Sequence, residues 1–131
     1  MSFATVVNCM DGRVQLSVLS FARERFGVRY VDAVTEAGPV GILAFEPNSR
    51  TAEAIFSRID ISIQAHGSKG VVVVAHDDCA GNARSPEEQR EQLRASVALL
   101  EEHYEGIEVV GVWVDDSWTV AEVLEGGSGG D

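Results

Sequence analysis

The chain has 131 residues, enough to bury one core around a four- or five-stranded sheet and too few for two. A hydrophobic fraction of 45% with 24% charged residues is the balance of a folded globular chain, and no apolar run approaches the roughly 20 residues that span a bilayer. The formal net charge of -11 argues against nucleic acid as a partner, because a phosphate backbone is held by basic patches and only 10 residues are Lys or Arg.

In chain order, FATVVNC (3–9) is a short apolar run rich in β-branched residues and reads as a strand. VQLSVLSFARERFG (14–27) follows with apolar positions at helical spacing, Val14, Val18 and Phe21, and closes on Gly27. RYVDAVTEAG (29–38) reads as a second strand that runs into a Gly-Pro loop at Gly38 and Pro39, and the stretch from Gly41 to Pro47 is ambiguous. From Thr51 to His66 the isoleucines 55, 59 and 63 share one helical stripe, with Gly67 placed to end it. GVVVVAH (70–76) is continuously apolar, the pattern of a parallel strand covered on both faces.

SPEE (85–88) is a capping box with proline at the first helical position, so a helix should begin there, with Leu93, Val97, Leu100 and Tyr104 as its inner stripe. IEVVGVWV (107–114) is another strand, DDSW (115–118) suits a turn, and TVAEVL (119–124) can return as an antiparallel edge. Residues 1–125 therefore read as one α/β domain, and GGSGGD (126–131) as a flexible Gly/Ser tail. The alternation predicts a three-layer α/β/α fold on a mostly parallel four- to five-stranded sheet, for which the order 2-1-3-4 with a crossover on each face and a fifth, antiparallel edge strand is a common build and the expected one.

The N-terminus lacks the basic region and cleavage site of a secretory signal, so the chain is read as cytoplasmic, with no membrane partner. In that compartment Cys9 and Cys79 are expected as reduced thiols, catalytic or metal-bound, with a structural disulfide as the reading to exclude. Cys9 ends the first strand, and His76 with Cys79 follows the central valine strand. Ligands of open α/β sheets bind beyond the carboxyl ends of strands, where successive connections diverge. If the first and third strands are neighbours, Cys9, His76 and Cys79 meet in one crevice. Two thiolates and an imidazole suit Zn²⁺ better than magnesium or calcium, and three protein donors leave a fourth tetrahedral position open.

Asp11 and Arg13 follow Cys9 at steps of two, so the acid can lie beside a metal while the guanidinium braces it. A carboxylate paired in this way stays ionised and accepts hydrogen bonds; alternatively, Asp11 swings in as a fourth ligand and closes the site. Asp77 and Asp78 read as solvated or loop-capping. His66 suits the dipole at a helix C-terminus, and His103 reads as a solvated helix residue. Phe45, Trp113 and Trp118 read as core or interface aromatics.

Cys9-x-Asp11-x-Arg13 followed by His76-x-x-Cys79 resembles the zinc signature of the β-class carbonic anhydrases. VTEAGPV (34–40) sits where that family has an Asn-Ala-Gly-Asn loop, with Glu36 in place of a neutral or basic residue, and residues 109–124 resemble its closing pair of strands. The resemblance implies reversible hydration of CO₂ to bicarbonate by zinc-bound hydroxide, with Zn²⁺ on Cys9, His76 and Cys79 and with Asp11 and Arg13 catalytic. It also implies a homodimer or higher homo-oligomer with the active site near the subunit interface. Relatives of the fold that hydrolyse carbonyl sulfide or carbon disulfide supply an alternative on the same residues, and a non-catalytic zinc-binding module supplies a third.

Overall fold

The computed structural model describes residues 2–126. Along the chain run β1 (Phe3–Cys9), α1 (Gln15–Phe26), β2 (Tyr30–Glu36), α2 (Pro39–Phe45) and α3 (Arg50–His66). These are followed by β3 (Gly70–His76), α4 (Pro86–His103), β4 (Glu108–Val114) and β5 (Val120–Glu125). The strands form one five-stranded sheet of order β2-β1-β3-β4-β5. β1 pairs in parallel with β2 and β3, β3 pairs in parallel with β4, and β5 returns antiparallel along β4. The order and the antiparallel edge are those the sequence predicts.

Strand alternation divides the core into two layers. On one face Val6, Val72, Val74, Val110 and Val112 pack against Val14, Val18 and Ala22 of the α1 segment. On the other, Val7, Val71, Val73 and Val109 meet Leu43 of α2, Ile55 and Ile59 of α3, and Leu93, Val97 and Leu100 of α4. Every residue of β3 is buried, as a strand covered on both faces requires. Because α1 covers one face and α2, α3 and α4 the other, the chain leaves β1 toward β2 on one side and comes back to β3 on the opposite side. The C-terminal ends of β1 and β3 therefore frame the crevice in which such folds bind ligands.

The capping signals act as expected. Ser85 accepts from the Glu88 backbone while the Glu88 carboxylate accepts from the Ser85 backbone, and α1 and α3 end at Gly27 and Gly67 in the left-handed conformation. The ambiguous stretch before Pro47 is resolved as α2. Pro39 sits in its first turn and lacks the N–H that a helix start would leave unpaired, so the Gly-Pro pair begins a helix where the sequence suggests a loop. β2 is correspondingly shorter than the 29–38 reading and stops at Glu36. Of the tail at 126–131, residues 127–131 lie outside the described residues.

Candidate metal centre

β1 and β3 end side by side, and their last residues are Cys9 and His76. The turn after β3 brings Cys79 back over the strand ends. Sγ of Cys9 lies 3.8 Å from Sγ of Cys79, so the thiols are in contact and are not bridged. The two sulfurs and a ring nitrogen of His76 all fall within 4.8 Å of one another, which makes the cluster able to hold a metal ion. Two thiolates on one tetrahedral zinc, each about 2.3 Å from it, sit about 3.8 Å apart, so the sulfur spacing fits that ion.

The imidazole supplies a second test of fit. His76 is 1% exposed, and its Nδ1 lies 2.7 Å from the carbonyl oxygen of Asp77, a geometry in which Nδ1–H donates. That tautomer leaves a lone pair on Nε2, which is buried and has no hydrogen-bond partner in the protein. A buried acceptor without a partner costs about 1–3 kcal/mol unless something else engages it. A ring nitrogen oriented by a carbonyl through its other nitrogen is the usual arrangement of a metal-ligating histidine.

The thiols are electrostatically unequal. The Cys79 thiol beside it, then His76 and the backbone N–H groups of Gly38 and Asp11, pull the Cys9 thiol well below its ordinary range against the opposing effect of burial. The Cys9 thiolate and burial push Cys79 up. For His76 burial alone would lower the pKa, but the Cys9 thiolate and the Asp77 carbonyl outweigh it and raise it. Gly38 can reach Cys9 because it has φ 64° and no side chain: a Cβ there would stand 2.6 Å from Cβ of Asn82. Gly81 lies against Ala37 in the same way, with an added Cβ only 2.7 Å from the Ala37 Cβ. The two glycines let the loop before α2 and the loop after Cys79 interlock behind the sulfurs.

Asp11 and Arg13 face each other at the mouth of this cluster. Arg13 Nε donates to Asp11 Oδ1 at 3.0 Å, Nη2 donates to Oδ2 at 2.7 Å, and the Arg13 backbone N–H adds a bond of 2.9 Å to Oδ1. Those bonds hold the Asp11 carboxyl at about 2, below its ordinary 3.8, despite some desolvation. A family model described as "Putative carbonic anhydrase" matches residues 1–124. The chain belongs to that family.

A solved β-carbonic anhydrase shares its fold. One of the tetrameric β-carbonic anhydrases of the filamentous ascomycete Sordaria macrospora superposes with a TM-score of 0.61 at 14% identity, over 95% of this chain and 81% of its own. The β-carbonic anhydrase CafA of Aspergillus fumigatus gives 0.46 at 16% identity, over 92% and 74%. No curated protein compared with the chain matches it.

Around the donors, this family member carries supports that spacing alone did not reveal. Gln15 Nε2 donates to the carbonyls of Cys9 and Asp11 at 2.9 and 2.8 Å, and its Oε1 accepts from Asn8, so one amide ties the β1 end to α1. Asn82 Nδ2 donates to Gln92 Oε1 at 2.6 Å, anchoring the Cys79 loop to α4. Asp78, read from sequence as solvated or capping, reaches Arg13 with its carboxylate at 3.3 Å and its carbonyl at 3.2 Å. Trp118, read as a core or interface aromatic, lies under the Arg13 guanidinium, 4.1 Å from its carbon to the ring centre.

Other assignments move away from the site. His66 stands in the last turn of α3 and His103 is exposed on α4, as read; His66 in addition pairs with Asp32 at 2.7 Å and stacks on Phe3, and His103 stacks on Phe56 with ring centres 4.3 Å apart. Glu36 is held by Arg58, which also donates to the Thr35 carbonyl, so its charge at the strand end is compensated. Trp113 is buried, whereas Phe45 is 62% exposed beneath Arg84. Among the described residues no helix is long and apolar enough to cross a membrane.

Proposed function

We propose that the chain is a zinc-dependent carbonic anhydrase that reversibly hydrates CO₂ to bicarbonate, with Cys9, His76 and Cys79 holding the ion and Asp11 and Arg13 serving the reaction. The observation that carries this reading is the buried Nε2 of His76, unpartnered within the protein and aimed with two contacting thiols at one point. When bound, zinc supplies Lewis acidity that makes water nucleophilic near neutral pH, more weakly with two thiolate donors than with three imidazoles.

The chain's own residues do the rest. The Asp77 carbonyl fixes the His76 tautomer, and backbone N–H groups of Gly38 and Asp11 stabilise the Cys9 sulfur as a thiolate. Asp11, kept ionised by Arg13, is an acceptor at any working pH, so it takes a hydrogen bond from the attacking water and orients its lone pair toward CO₂. Because both Asp11 oxygens are engaged by Arg13, the carboxylate is drawn toward the guanidinium and away from serving as a fourth ligand. Residues 1–125 act as a single catalytic domain in this proposal. Cytoplasmic action fits the unbridged thiols, and a homo-oligomer fits the tetrameric β-carbonic anhydrases that share the fold.

Metal analysis coupled to stopped-flow CO₂ hydration across pH tests the proposal. One zinc per chain and rapid hydration are expected in the wild type, and both should be lost in Cys79→Ser. Equal turnover by the two proteins would remove the assignment. Release of sulfide from carbonyl sulfide with no hydration of CO₂ would reassign the same site to the sulfur substrate.

A further inference from the structure

We propose that Trp118 is a positioning residue for the Asp11–Arg13 pair, its indole being the platform that fixes the guanidinium; this deepens the catalytic reading above and rests on it. The first observation is a local cost. Trp118 has φ 60°, the left-handed region that turns normally give to Gly or Asn, and here the largest side chain occupies it. The surrounding turn is tied down to keep it there. Trp118 N–H donates to the Asp115 carbonyl at 3.0 Å, the Asp115 carboxylate accepts from the backbone of Ser117 and Thr119, and Ser17 of α1 donates to the Trp118 carbonyl. Backbone strain that the neighbourhood over-determines is the pattern found where a side chain has to be delivered to one place.

The second observation is the place of delivery. The ring lies under Arg13 and, with centres 6.3 Å apart, beside His76, so one side chain is near both the guanidinium and a member of the donor cluster. Arg13 is 45% exposed, and an arginine that open to water ordinarily samples many rotamers. Here its edge is occupied by Asp11, its far side by Asp78, and one face by the indole. Asp11 can be aimed only as well as Arg13 is held. A planar aromatic face restrains a guanidinium by stacking, which an aliphatic side chain of similar bulk cannot do.

Three variants of the zinc-loaded, full-length chain separate this role from simple space filling. Trp118→Phe keeps an aromatic face, Trp118→Leu keeps apolar bulk, and Trp118→Gly relieves the backbone while removing the ring. The first readout is the Arg13 side-chain ¹⁵Nε–¹Hε resonance. It should retain its shift and slow solvent exchange in Trp118→Phe, and it should move toward free arginine and exchange faster in the Leu and Gly variants. The second is kcat for CO₂ hydration, expected to fall about tenfold in Leu and Gly with KM and zinc content little changed, and to be largely restored in Phe.

An Arg13 resonance unmoved in Trp118→Leu would overturn the proposal. So would activity losses in Phe, Leu and Gly that simply track their melting temperatures. If the wild type proves not to hydrate CO₂, the catalytic reading fails while the resonance arm still decides whether Trp118 holds Arg13.

Discussion

Two polar clusters are built into the same sheet, and they differ in what they leave unpaired. Toward the N-terminal ends of the strands, Ser62 of α3 bonds Thr5, Ser68 and Asp32, and Asp32 also takes His66. Every hydroxyl there has a partner from the protein, so the cluster is closed, and its work is to fasten α3 to β1 and β2. At the C-terminal ends of β1 and β3, two thiols touch each other and a buried imidazole nitrogen beside them accepts no hydrogen bond from the protein. The hydroxyls of Thr5, Ser62 and Ser68 are as buried as the three donors, while Asp32 and His66 are partly open, so burial by itself does not mark a functional site. Convergence of soft donors on a point that no protein atom fills is what does so.

Removing a donor from the open cluster should break the contrast most sharply. Cys79→Ser or His76→Ala is expected to reduce bound zinc from one per chain to almost none and hydration to background, with little change in far-ultraviolet circular dichroism, whereas Ser62→Ala should leave zinc content untouched. Next in size, Asp11→Asn should keep the metal and lower kcat/KM about 100-fold, because the amide presents donors where an acceptor is needed. Retention of full turnover would move Asp11 out of the machinery.

On the closed side, Ser62→Ala should cost about 1–3 kcal/mol in urea unfolding, since Thr5, Ser68 and Asp32 would lose a buried partner together. Gln15→Leu should weaken zinc affinity about tenfold in competition with a chelator, as releasing a residue that orients ligand-bearing backbone commonly does. A value near wild type would mean that α1 packing alone positions the β1 end.

The smallest effect concerns pH. Asp11 has a folded-state pKa of about 2 against 3.8 in the unfolded chain, held down first by the Arg13 side chain. Its stabilising contribution is therefore complete above pH 3.8 and disappears as the pH falls through about 2. Carboxyl chemical shifts of the metal-free protein should show Asp11 titrating near pH 2 in the wild type and close to its ordinary value in Arg13→Leu. The gap in urea midpoint between those two proteins should close as the medium is acidified.

Much of this was legible in the chain itself. The continuous valine run of β3, the capping box at Ser85 and the isoleucine stripe of α3 carry their structural meaning locally, because helix and strand periodicity and cap chemistry are short-range. Cys9, Asp11, Arg13, His76 and Cys79 were equally visible, since donor types at strand ends are a statement about composition and spacing. What required tertiary structure was partnership across the fold. α2 is a helix because Leu43 and Val40 find the core and Gly38 finds room against Asn82, which no window of seven residues reveals. His66 meets Asp32, and Arg13 meets Asp78 and Trp118, only when strands far apart in sequence are laid side by side. Local sequence sets what each segment can be, while the choice of neighbours is a long-range contact energy that exists only once the sheet is assembled.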